Sequence, residues 1–136
     1  MIRGSCACGA VRFELARPPS MMATCHCSRC RKLGASAFAF VRGDDVRWVS
    51  GRDVVAWLEP EPPFTFVRSF CRRCGSALGE LGSDAESFPI SAHLLDDDPG
   101  IPNRFHEFVA DKPAWSVIGD DAPQFPGHPV RAAASD

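Results

Sequence analysis

The chain has 136 residues, 45% of them hydrophobic, which suits one globular domain with a single modest core. Fifteen basic residues against 17 acidic ones leave a net charge of -2 with no polybasic run, so nucleic acid is not an expected partner. No apolar stretch is long enough to span a bilayer and the opening Met1-Ile2-Arg3-Gly4 is no secretory leader, so a cytoplasmic protein with no membrane partner is expected.

In chain order, Val11-Arg12-Phe13-Glu14-Leu15 alternates apolar and polar residues, the period-two mark of a half-buried strand. Ser28 to Leu33 is the one predicted helical turn, with Cys27 and Cys30 three residues apart on its face. Ala37 to Val41 is an apolar strand that ends at the turn signal Arg42-Gly43-Asp44-Asp45. Val46 to Val49 then reads as its hairpin partner. Val54 to Leu58 is a short strand closed by Pro60, Pro62 and Pro63, and Thr65 to Phe70 alternates again and runs into Cys71. Ser87 to Ser91 and Phe105 to Val109 complete the set. Eleven glycines and 12 prolines punctuate the chain and leave no long helical pattern. A mainly β fold with little helix follows, as one domain over residues 1–125 and a fraying Pro/Gly/Ala-rich tail over 126–136.

Seven cysteines fall in three clusters: Cys6-Ala7-Cys8, Cys25-His26-Cys27-Ser28-Arg29-Cys30 and Cys71-Arg72-Arg73-Cys74. In a reducing compartment such tight spacing signals metal before disulfide, and an odd count would leave one thiol unpaired in a disulfide framework. The pairs Cys6/Cys8 and Cys71/Cys74 each precede a glycine, Gly9 or Gly75, which permits the tight turn that converges two sulfurs on one ion. Together they would close a tetrahedral zinc with four thiolates. Cys25, Cys27 and Cys30 would then hold a second zinc with three, leaving one position open, so two zinc ions per chain are expected. Spacing also permits the division Cys27, Cys30, Cys71 and Cys74 against Cys6, Cys8 and Cys25. His26 lies between two ligands and is expected to point away.

These clusters, in the contexts Gly4-Ser5-Cys6-Ala7-Cys8-Gly9-Ala10-Val11, Cys25-His26-Cys27-Ser28-Arg29-Cys30-Arg31-Lys32 and Phe70-Cys71-Arg72-Arg73-Cys74-Gly75, resemble the glutathione-dependent formaldehyde-activating enzymes, the Gfa-like or centromere-protein-V domain family. Leu95-Asp96-Asp97-Asp98-Pro99, Trp115 and Asp120-Asp121-Ala122-Pro123-Gln124-Phe125 fit the same pattern, so the resemblance runs from about Gly4 to Phe125. It implies a β-tent zinc fold of several coiled antiparallel sheets. It also implies a structural zinc on Cys6, Cys8, Cys71 and Cys74, and a catalytic zinc on Cys25, Cys27 and Cys30. The implied activity is that of a carbon–sulfur lyase that forms or cleaves S-hydroxymethylglutathione, with glutathione as the small-molecule thiol partner. Relatives that serve as non-catalytic zinc interaction modules keep a second reading open.

Arg29, Arg31 and Lys32 are candidates to meet substrate carboxylates, or to offset thiolate charge. Trp48, Trp57 and Trp115 are expected in the core. His93, His106 and His128 read as lone histidines, and Asp96-Asp97-Asp98 as a solvated turn. No general base is assigned.

Overall fold

A computed structural model describes residues 1–129. Among the described residues, ten strands form two sheets: β1 (Ile2–Ser5), β2 (Arg12–Leu15), β3 (Met21–Cys25), β4 (Ala37–Arg42), β5 (Val46–Ser50), β6 (Val55–Leu58), β7 (Arg68–Cys71), β8 (Ala77–Gly79), β9 (Ser87–Ser91) and β10 (Asn103–Glu107). The α-helix α1 (Ser28–Leu33) joins β3 to β4, and four short 3-10 turns complete the described elements. The small sheet has the order β1-β2-β5, and the large one β10-β3-β4-β9-β8-β7-β6. All pairings are antiparallel except that of β10 with β3.

The alternation in β2 does what its period requires. Phe13 and Leu15 are buried while Arg12 and Glu14 face outward. The two inward side chains join Val11, Ala39, Val41, Leu78, Leu81, Phe88 and Ile90 in the main core, which lies between the small sheet and the centre of the large one. A second, smaller cluster gathers Cys25, Cys30, Ala35 and Phe38, flanked by Cys27, Phe40, Ala77 and Phe108. It packs around α1 and positions the site below.

Sequence pattern and structure part at β5. The segment from Val46 pairs with β2 in the small sheet and not with β4 as a hairpin. Both edges of β4 are taken, by β3 and β9, so no edge remains for it. The turn Gly43–Asp45 carries the chain across, held by buried Asp45, whose carboxylate accepts from Arg17 and whose carbonyl accepts from the Ala16 amide. Strands β1, β3 and β8 had no signal in the sequence pattern.

The tryptophans divide. Trp48 packs against the main core, whereas Trp57 on the edge strand β6 and Trp115 in the segment after β10 are exposed. The chain also stays attached beyond Pro126: the Gly127 carbonyl accepts from the Phe108 amide, and His128 meets Glu107. Of the tail expected to fray, 130–136 lie outside the described residues.

Candidate functional site

Two hairpin turns bring four thiols together. Between β1 and β2, the Gly9 amide donates to the Cys6 carbonyl, and between β7 and β8 the Gly75 amide donates to the Cys71 carbonyl. Both glycines are left-handed, with φ of 77° and 79°, the conformation that the sequence pattern asked of them. The sulfurs of Cys6, Cys8, Cys71 and Cys74 lie within 4.8 Å of one another. Cys6 and Cys8 Sγ are 3.6 Å apart, and Cys8 and Cys71 Sγ 3.9 Å. A tetrahedral zinc with Zn–S bonds of about 2.3 Å sets its sulfurs about 3.8 Å apart, so these four thiols fit that ion. The Ser76 hydroxyl, bonded to Cys74 Sγ at 3.2 Å, draws the Cys74 pKa down to about 5, while burial pushes Cys71 up to about 11.

The second group forms on one continuous segment. Cys25 ends β3, Cys27 caps α1 and Cys30 lies in its first turn. The cap is a sulfur: Cys27 Sγ accepts from the Cys30 amide at 3.3 Å. Gly34 ends the helix in a left-handed cap whose amide donates to the Cys30 carbonyl, fixing the α1 backbone at both ends. The three sulfurs again lie within 4.8 Å of one another. The alternative division, with Cys27 and Cys30 beside Cys71 and Cys74, is not the one the fold assembles. The triad offers three soft thiols close enough to share one ion, a donor set that suits zinc.

The triad is electrostatically uneven. Cys30 is drawn down to about 6, first by hydrogen bonding from Cys25 and Cys27 and then by the nearby Arg68 guanidinium. Cys25 is pushed up, by its shared bond with Cys30 and by burial. Arg68 escaped the sequence reading because it lies 38 residues from Cys30, on β7. Its guanidinium stacks over the Phe38 ring and pairs with Glu80 at 3.1 Å in a largely buried setting.

His26 is not among the grouped donor atoms, but it is not idle. Its Nε2 meets His106 Nδ1 at 2.9 Å, and His106 Nε2 meets Asp120 Oδ1 at 2.8 Å. His106, read as a lone histidine, is buried in the middle of this row. The parallel pairing of β10 with β3 produces the contact by setting His106 beside Thr24, next to the Cys25–Cys27 segment. Asp120 is acceptor-only when ionised, so His106 Nε2 carries the proton, and Nδ1 accepts from His26 Nε2. Burial, His106 and Lys112 hold His26 below its ordinary pKa, which keeps it neutral, while the His106 bond lowers that of Asp120.

The three basic residues after Cys27 separate in space. Arg29 holds the 59–67 loop, donating through Nη1 to the Phe66 carbonyl and stacking over Phe64, and its Nη2 is buried without a partner. Arg31 lines a cavity of about 440 Å³ together with His26, His93 and His106. Lys32 is exposed. The Asp96-Asp97 turn is a clamp: Ser5 donates to Asp96, and Arg3 binds Asp97 through its backbone amide and its guanidinium. No helix among the described residues is long and apolar enough to cross a membrane.

The chain resembles known proteins along most of its length. The family described as glutathione-dependent formaldehyde-activating enzyme matches residues 1–111. A Halomonas elongata protein provisionally named glutathione-dependent formaldehyde-activating enzyme is 34% identical over 127 residues, covering 87% of this chain and 81% of that protein. A crystal structure of a Rhodobacter sphaeroides protein superposes with a TM-score of 0.56 at 29% identity, covering 71% of this chain and 89% of its own.

Proposed function

This chain belongs to the glutathione-dependent formaldehyde-activating enzyme family, and on that footing we propose that it is a zinc-dependent carbon–sulfur lyase joining a small thiol such as glutathione to a small carbonyl such as formaldehyde, or cleaving that adduct. The observation that carries this reading is the gathering of Cys25, Cys27 and Cys30 into a group of three thiols, separate from the group of four. Cys6, Cys8, Cys71 and Cys74 would hold a closed structural zinc, and the triad an open one. Zinc bound by the triad would supply a Lewis-acidic centre that favours the thiolate form of a ligand thiol.

The protein's own residues supply the rest. Phe38, Phe40, Ala77 and Phe108 pack around the triad and keep bulk water from the thiols. Arg68, held by Glu80, offsets negative charge at Cys30. His26 retains a lone pair on Nδ1, one residue from Cys25 and from Cys27. A proton that reaches this nitrogen through water lets the Nε2 proton of His26 pass to His106 Nδ1. The resulting imidazolium faces the Asp120 carboxylate. The thiolate sulfur then forms the new bond to the carbonyl carbon, and the carbonyl oxygen takes back a proton to give the hydroxymethyl thioether.

Spontaneous addition of formaldehyde to glutathione sets the background. The zinc-loaded protein is expected to accelerate S-hydroxymethylglutathione formation above that background, followed by exchange NMR. Cys27→Ser should return the rate to background with the melting temperature nearly unchanged. An undiminished rate in the Cys27→Ser protein would sink the assignment.

A further inference from the structure

A second cavity, of about 160 Å³, has a triad cysteine, Cys30, in its wall. Strand pairing accounts for its make-up. Leu58 stands opposite Arg68, and Ala77 opposite Phe70, so these four side chains share the outward face of β6, β7 and β8. The other face sends Cys71 and Leu78 into the main core. Leu33 and Ala35, around the end of α1, also line the cavity. Leu33, Leu58 and Phe70 are 36%, 41% and 37% exposed, so its rim is apolar and open to solvent. Few polar groups are free inside. The Ser69 hydroxyl is held by the Gly79 and Leu81 carbonyls. Arg68, the one cation among the described lining residues, is held by the Val67 carbonyl and paired with Glu80. Such a wall suits hydrocarbon and not the body of glutathione, whose two carboxylates and ammonium would find no free partner of opposite charge in it.

We infer that this cavity receives the hydrocarbon chain of the carbonyl substrate, so that the preferred partner of the thiol is an aliphatic aldehyde of about four to six carbons and not formaldehyde. The inference rests on the reading of Cys25, Cys27 and Cys30 as the thiol site, because Cys30 is where the cavity meets that group. Size sets the chain length. An apolar cavity of about 150 Å³ admits a molecule the size of benzene. Formaldehyde has no chain and leaves this space unused. Each methylene that the cavity takes out of water favours the bound state about fourfold. The bond change is that of thiol addition to any aldehyde. The thiol sulfur joins the carbonyl carbon, the carbonyl oxygen takes up the proton the thiol gave, and a hemithioacetal results with nothing oxidised or reduced.

Linear aldehydes from acetaldehyde to octanal have closely similar carbonyl reactivity and differ in chain length, which makes them the probes. Each is offered with glutathione to the zinc-loaded protein and compared with its own uncatalysed rate. The acceleration should rise about fourfold per methylene from acetaldehyde to about hexanal, then level off as the cavity fills. Leu58→Ala should cut the advantage of pentanal over acetaldehyde about three- to tenfold. Val49→Ala, which trims an exposed apolar side chain on β5 outside the cavity, should leave that advantage as it is. Pentanamide, an unreactive carbonyl with the same chain, gives a readout that needs no activity. It should shift the methyl NMR resonances of Leu33 and Leu58, and acetamide at the same concentration should not. The two readings fail separately. Methyl shifts with every aldehyde at background support the cavity and remove the lyase. Formaldehyde accelerated, with an acceleration that stays flat or falls as the chain lengthens, overturns the cavity assignment and keeps the lyase. An advantage for pentanal that survives intact in Leu58→Ala, or pentanamide that shifts neither leucine, overturns it as well.

Discussion

At Gly75 one residue's conformation decides whether two sulfurs converge. Its φ is +79°, and an added Cβ would meet nothing within 4 Å, so Gly75→Ala introduces backbone strain and no clash. The left-handed penalty of about 1–2 kcal/mol is therefore the expected loss of stability, measured by urea denaturation of the metal-loaded protein. A loss below about 0.5 kcal/mol would mean that the turn relaxes to another conformation without cost. Gly75 was legible from sequence because the demand it meets is local: a CxxC turn and the residue after it. Arg68 and His106 were not legible for the opposite reason. His106 reaches the triad segment because β10 pairs with β3, and Arg68 because β7, which pairs with β6 and β8, packs it over Phe38 close to Cys30. An isolated Arg or His carries no trace of such a neighbour in its own sequence context.

Elements show the same division. The alternation of β2 and the span of α1 follow from periodicity and capping, and both appear where the pattern placed them. The partner of β5 does not, because pairing depends on which edges the rest of the sheet leaves free. The Asp96-Asp97 segment is another case. It reads as a solvated turn, yet it ties the end of β9 and its following 3-10 turn to β1, with a bridge between Gly4 and Leu95 and the Arg3–Asp97 pair. Arg3 holds the Asp97 carboxyl well below its ordinary value of 3.8, through its side-chain hydrogen bond first and then its backbone amide. A depressed carboxylate stabilises the fold above its unfolded pKa, and that contribution disappears as pH falls through the folded value. Asp97→Asn should therefore lower the melting temperature by a constant amount from pH 7 to about 5. The gap to the parent protein should narrow below about pH 4, where the unfolded carboxyl begins to take up protons. A gap independent of pH would show that the charge of Asp97 contributes nothing to the clamp.

The two thiol groups stand in different relations to the molecule as a whole. Cys6, Cys8, Cys71 and Cys74 join the β1–β2 turn of the small sheet to the β7–β8 turn of the large one, and Cys8 and Cys71 are 63 residues apart in sequence. The triad spans only Cys25 to Cys30, so an ion there ties no distant parts of the chain together. Loop-closure entropy makes the first kind of cross-link far more effective than the second, and a domain with one modest core depends on such links. Cys8→Ser combined with Cys74→Ser replaces two exposed thiols and opens no space in the core. The pair should lower stability by on the order of 3–5 kcal/mol, the scale of a cross-link closing a loop of this length. Zinc content should fall from two per chain to one. Cys27→Ser should lower zinc content equally while shifting the melting temperature far less. A strong chelator should then remove the triad ion with the fold intact, and removal of the second ion should coincide with unfolding, followed by circular dichroism against released zinc. Unfolding that tracks loss of the first ion would reverse the assignment, making the triad the structural site. The separation matters for function as well as stability: an ion that the fold does not need is free to exchange one of its ligands with substrate.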